Sequence, residues 1–200
     1  MTEHATLRQL SGMPEAPAPL ADSTLIMIDL QNTYTRGVME LDGVQAALDQ
    51  AEELLSNARD AGIPILHVMH DDGPGSPYDL QDDIGQIVPR VAPRDGEPVI
   101  VKNYPNAFTD TDLHERLQAA PGRDLIIAGF MTHMCVNSTT RGAFSLGYSP
   151  SVVAGATATR ALPGTDGGAP VSAAALQAAS LAALADLFGV VVGTPSDIPG

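Results

Sequence analysis

Six short apolar runs space themselves along the chain: "STLIMIDL", "IPILHVMH", "EPVIVK", "DLIIAGF", "SPSVVAG" and "GVVVGT". Each is too short for a buried helix and rich in Val, Ile and Leu, the form a strand takes when both faces of its sheet are covered. Helical patterns lie between them. From Asp42, Val44, Leu48, Ala51, Leu55 and Ala58 recur at helical spacing until Gly62, and Asp42 with Gln45 has the spacing of a capping box. "TDTDLHERLQAA" turns Leu113 and Leu117 inward, a helix is expected from about His133 to Leu146, and residues 171–188 form an Ala-rich one. A breaker-rich loop holding Gly73, Pro74, Gly75 and Pro77 follows the second run. The alternation predicts an α/β fold: a doubly wound, mostly parallel six-stranded sheet with helices on both faces. Residues 1–22 are Pro- and Ala-rich and aperiodic, which predicts an N-terminal arm before one domain over 23–200.

In such sheets ligands bind beyond the carboxyl ends of the strands, near the point where strand order reverses. Asp29 ends the first run, His70 the second and Lys102 the third, and Cys135 lies just past the fourth, in the first turn of a helix that Thr132 is expected to cap. An acid, an imidazole, an ammonium and a thiol thus converge on one edge. Of ten basic residues only Lys102 is a lysine, and Cys135 is the only cysteine. The chemistry is coherent. A helix N-terminus and an ammonium favour a thiolate, a carboxylate can take and return its proton, and free backbone N–H groups can hold an oxyanion.

Composition removes several classes. A net charge of −14 argues against nucleic-acid binding; it serves first to keep the protein soluble, and the alternative is that it helps to capture a cationic small molecule. One cysteine excludes an internal disulfide and a Cys-cluster zinc site. No basic start with an apolar core opens the sequence, and the late apolar segment carries Gln177, Ser180 and Asp186, so the expectation is a cytoplasmic protein without a membrane partner.

From about Ser23 to Thr194 the chain resembles the isochorismatase-like cysteine hydrolases, the group that includes nicotinamidases and N-carbamoylsarcosine amidase. The resemblance is carried by "LIMIDLQNTY", "VIVKNYPNAF" and "IIAGFMTHMCVNSTTRGAFSLGY". It implies a catalytic triad of Asp29, Lys102 and Cys135, a cis peptide at Phe130–Met131, an oxyanion hole from the N–H groups of Met131 and Cys135, and a homo-oligomer. Gln31, Tyr34, His70, Tyr104, Phe108 and His133 are the candidate pocket residues. Nicotinamidases share an Asp-x-His plus downstream His metal site. Here "HVMHDDGPGSPYD" offers no second nearby His after the strand, so neither a metal nor another cofactor is expected. Asn106 and Gly155 replace a Ser and an acidic residue common in the family.

These features predict hydrolysis of a C–N bond in a small amide, carbamoyl or lactam compound through a thioester. A streptothricin-type lactam is one cationic candidate. A thiol redox sensor and a non-catalytic binding protein on the same fold remain as the other readings.

Overall fold

The computed structural model describes residues 4–200. All six expected strands form, as β1 (Ser23–Ile28), β2 (Ile65–His70), β3 (Val99–Lys102), β4 (Asp124–Phe130), β5 (Ser149–Ala158) and β6 (Val190–Val192). They make one sheet in the order β3-β2-β1-β4-β5-β6, and every neighbouring pair is parallel. Five helices accompany them: α1 (Leu7–Leu10), α2 (Val44–Ala61), α3 (Leu113–Ala119), α4 (Asn137–Ser145) and α5 (Ala173–Ala185).

Strand alternation sorts the core into two layers. Leu25 and Met27 of β1 pack with Leu48, Leu54 and Leu55 of α2. Ile26 and Ile28 face the other way, against Leu113 and Leu117 of α3, Ala143 of α4 and Leu184 of α5. Helices therefore cover both faces, and each fully buried Leu or Ile adds about 1.5–3 kcal/mol. The chain winds outward from β1 through β2 to β3, then returns to β4 on the other side of β1. That reversal places the switch point between β1 and β4.

Gly129 makes the β1–β4 contact possible. Its φ is +131°, and a Cβ there would stand 1.9 Å from the carbonyl oxygen of Ile28. Only glycine fits where these two strands run side by side at the switch point.

Several local expectations change. Gly43 precedes α2 in the left-handed region and no side chain caps the helix. Asp42 instead donates its N–H to Thr159 O across an isolated bridge, so no capping box forms. β5 runs three residues past the expected end at Gly155, because extra residues enter it where its register against β4 shifts between Ile127 and Gly129. Of the arm expected over 1–22, residues 1–3 lie outside the described residues. The remainder lies against its own chain: Arg8 donates to Leu187 O, the Arg8 N–H to Asp186 O, and the Leu20 N–H to Pro199 O. Among the described residues no helix is long and apolar enough to cross a membrane.

Candidate active site

Asp29 leaves β1 with φ +50°, a left-handed turn that Asp tolerates better than most residues. Its N–H donates to Val68 O of β2 and its carbonyl accepts from the Gln31 N–H, so both ends of the turn are tied. Lys102 is the last residue of β3 and Cys135 sits one turn past β4. The structure brings the three together. Lys102 Nζ lies 2.7 Å from Asp29 Oδ2 and 3.3 Å from Cys135 Sγ. Both Asp29 carboxylate oxygens are buried and make no hydrogen bond beyond this ion-pair contact. Asp29, Lys102 and Cys135 are 0%, 1% and 5% exposed.

Such burial sets the protonation states. Desolvation pushes the Asp29 carboxyl up, and the Lys102 ammonium beside it pulls it back only in part. Burial works against the Lys102 charge, but the attraction of Asp29 and Cys135 outweighs it and the lysine is held above its ordinary value. The Cys135 thiol is pushed up to about 12, by burial first and by the Asp29 charge second, with Lys102 opposing. The ammonium and the helix start alone would favour a thiolate; desolvation and the Asp29 charge win instead. The thiol is therefore neutral at rest and the lysine beside it charged. Moving the thiol proton to Asp29 leaves the buried net charge unchanged, whereas losing it to water does not.

The turn that carries Cys135 also departs from expectation. Thr132–Val136 is a π turn that runs into α4, and Met131 rather than Thr132 stands at its N-cap. The Thr132 hydroxyl is buried and has no partner. The Phe130–Met131 peptide is cis, as the resemblance implied.

The pocket candidates divide. His70 is brought to the site, with Nδ1 3.1 Å from Lys102 Nζ. Tyr34 is buried nearby, edge-on to Phe130 and hydrogen-bonded through its hydroxyl to Tyr78, 3.2 Å away. His133 meets Thr159 Oγ1 through Nδ1 at 2.5 Å. Tyr104 is half exposed on the loop leaving β3. Gln31 is no pocket wall: its amide is spent on the His70 N–H and on the His70 and Gly85 carbonyls. Phe108 is not brought to the triad. It stacks on Tyr148, just ahead of the N-terminal end of β5, and lines a groove of about 620 Å³ with Asn106, His114 and Leu146.

Two further residues at this edge carry no motif in the sequence. Tyr78, from the breaker-rich loop, packs edge-on to His70 with ring centroids 4.8 Å apart, and its phenol is pushed up by burial. It is one of only four tyrosines in the chain, which was the available signal. Arg160 lies two residues past the end of β5, near His133, whose pKa falls through burial and then through the Arg160 charge. Among the described residues Arg160 has no salt-bridge partner, and its buried Nε makes no hydrogen bond. Ending β5 at Gly155 hid it.

The described residues contain no cluster of three His, Cys, Asp or Glu side chains suited to a metal ion. What converges on the switch point is a thiol, a carboxyl group and an ammonium. The isochorismatase domain model matches residues 23–196, the whole sheet and all three of these side chains. The chain belongs to the isochorismatase family. A crystal structure of an isochorismatase from Pseudomonas putida KT2440 superposes with a TM-score of 0.93 at 40% identity, covering 96% of this chain and 98% of that one. The secreted isochorismatase effector Isc1 of Verticillium dahliae is 32% identical over 95% of this chain and 97% of its own length. A ureidoacrylate amidohydrolase of Stutzerimonas stutzeri is 27% identical, over 72% of this chain and 75% of its own. This family membership makes the protein an isochorismatase-family hydrolase.

Proposed function

We propose that this isochorismatase-family hydrolase cleaves a C–N bond of a small amide, carbamoyl or lactam compound, with Asp29, Lys102 and Cys135 as its catalytic residues. The observation that carries the reading is the buried Lys102 ammonium, 2.7 Å from the carboxylate and 3.3 Å from the sulfur. Cys135 Sγ attacks the substrate carbonyl carbon as its proton passes to Asp29. The carbonyl oxygen becomes an oxyanion held by the N–H groups of Met131 and Cys135, donors worth about 3–4 kcal/mol each in comparable sites. Asp29 then gives the proton to the departing nitrogen, the C–N bond breaks and a thioester remains. Water that gives a proton to Asp29 attacks the thioester carbonyl. The acid leaves, and the proton returns to the sulfur. Lys102 stays charged throughout and offsets whichever of the two neighbours is anionic.

Arg160 bears on the substrate. The overall charge of −14 suggested a cationic compound, but the unpaired charge beside His133 is positive. A nearby fixed charge acts more strongly than a screened surface. An amide or ureido compound bearing a carboxylate is therefore the proposed substrate class, in line with the name of the ureidoacrylate amidohydrolase relative. The redox-sensor reading loses ground because oxidation follows thiolate character and exposure, and Cys135 has little of either.

The test is ammonia or amine release from a panel of amides, ureido compounds and lactams with anionic, neutral and cationic substituents. Turnover concentrated in the anionic members and lost in Cys135→Ser supports the reading. Binding without turnover across the panel favours the non-catalytic alternative.

A further inference from the structure

We infer that His70 is a positioning residue that orients the Lys102 ammonium, and that protonation of its imidazole switches the site off at low pH. The pH half of this rests on the hydrolase reading above; the hydrogen-bond half does not.

An ammonium has three protons and nothing else with which to make hydrogen bonds. Lys102 meets three acceptors: Asp29 Oδ2 at 2.7 Å, Cys135 Sγ at 3.3 Å and His70 Nδ1 at 3.1 Å. With its side chain fully buried, no water is at hand to replace any of them. Two of the acceptors take part in the chemistry and change protonation during it. His70 does not, so it is the fixed member of the tripod. Its own freedom is small. The His70 N–H donates to Gln31 Oε1 and its carbonyl accepts from Gln31 Nε2, both at 2.9 Å. The ring stands against the edge of Tyr78, and the parallel register sets His70 directly beside Lys102.

To accept from an ammonium, Nδ1 must carry a lone pair, which assigns the proton of the neutral ring to Nε2. Protonation turns Nδ1 into a donor and sets two cations 3.1 Å apart. The lysine then loses its third acceptor and is pushed away from the carboxylate and sulfur that it serves. The groups facing the imidazole are Lys102 on β3, Asp29 on the turn after β1, Asp71 and Asp72 on the loop that follows, and Tyr78 across the ring. Burial and Lys102 lower the His70 pKa, the three carboxylates oppose them, and the net direction is down. The switch therefore lies below the ordinary imidazole value of about 6.5.

The experiment compares the wild type with His70→Asn and His70→Leu in kcat and KM from about pH 4.5 to 8. Asn offers an amide oxygen near the place of Nδ1 and does not titrate; Leu offers no acceptor. In the wild type, kcat falls on the acid side with an apparent pKa below about 6.5. His70→Leu lowers kcat about 10- to 100-fold at every pH, as loss of one charged hydrogen bond predicts, while KM changes little. His70→Asn recovers about tenfold or more over the Leu variant and loses the His70 part of the acid limb, leaving only the fall set by protonation of Asp29, whose carboxyl is itself raised by burial. An acid limb unchanged in His70→Asn, or equal rates in the two variants, overturns the inference.

Nitrogen-15 NMR of the imidazoles gives a readout free of catalysis. It is expected to show His70 protonated on Nε2 and its pKa rising in Lys102→Met. A proton on Nδ1, or a pKa indifferent to Lys102, also overturns the inference. A wild type that hydrolyses nothing strikes the hydrolase reading, and the NMR result then decides this one alone.

Discussion

Replacing Asp29 with Asn should move two properties of Cys135 in opposite directions. A thiol held at about 12 and deprotonated to solvent at pH 7 would cost about 7 kcal/mol and leave roughly one thiolate in 10⁵ molecules. That route is too costly for an efficient nucleophile, which is why the proposed mechanism sends the proton to Asp29. Asparagine cannot take it. Losing the proton acceptor should lower turnover about 10²- to 10⁴-fold. The same change removes a negative charge that helps to hold the thiol up, and leaves Lys102 to pair with the sulfur. A like charge at this range shifts a pKa by about 1–3 units, so iodoacetamide should alkylate the variant about 10- to 1,000-fold faster at pH 7. The chain has one cysteine, and intact mass reads the adduct directly. Lys102→Met is the counter-experiment: its loss should slow alkylation further, because the ammonium is what favours the thiolate. Thermal melts accompany both variants, since each leaves one buried charge without its partner at a cost of about 3–5 kcal/mol. Turnover near the wild-type rate in Asp29→Asn, or alkylation no faster than wild type in a folded variant, would show that Asp29 does not govern the thiol proton.

Other positions give sharper tests of single features. Arg160→Leu should cut kcat/KM for carboxylate-bearing amides about 10- to 100-fold and leave neutral amides nearly unchanged, the loss of one charged hydrogen bond in steady-state kinetics; equal losses on both would remove Arg160 from substrate recognition. Gly129→Ala should prevent folding or abolish activity in soluble protein, because its Cβ meets the Ile28 carbonyl oxygen at 1.9 Å, and circular dichroism with a melt decides between a tolerated and a broken strand pair. Glu97 is lowered from 4.5 to about 2, chiefly by its hydrogen bonds from Arg59. Its stabilisation is therefore complete above about 4.5 and lost as pH falls through about 2. Glu97→Gln should be about 2–3 kcal/mol less stable than wild type near neutral pH in urea melts, with the difference closing toward pH 2.

The strands and the triad could be read ahead of the structure for one physical reason. A strand buried on both faces must be apolar throughout, so a polar residue at its end stands out, and in a parallel sheet all such ends lie on one edge. Asp29, Lys102 and Cys135 were visible on those terms. What could not be read depends on packing between distant segments. The direction of the Cys135 shift follows from how deeply the π turn is buried, which local pattern does not report. Gln31 looked like a pocket wall because it lies two residues from Asp29, but the hydrogen-bond needs of His70 and Gly85 claim its amide. Phe108 follows Lys102 closely in sequence, yet the segment between β3 and α3 carries it down to Tyr148. Arg160 stayed hidden because "AGATAT" offers small residues where a strand normally shows large ones, and β5 continues through them.

The most direct check of the hydrolase account is acid-quenched intact mass of the wild type during turnover of any amide from the panel. The account predicts a transient mass gain equal to the acyl fragment, mapped to Cys135, discharged by water and absent in Cys135→Ser. Turnover that continues in Cys135→Ser, or proceeds in the wild type with no acyl adduct even when quenched before the first cycle completes, would mean that the thiol is not the nucleophile.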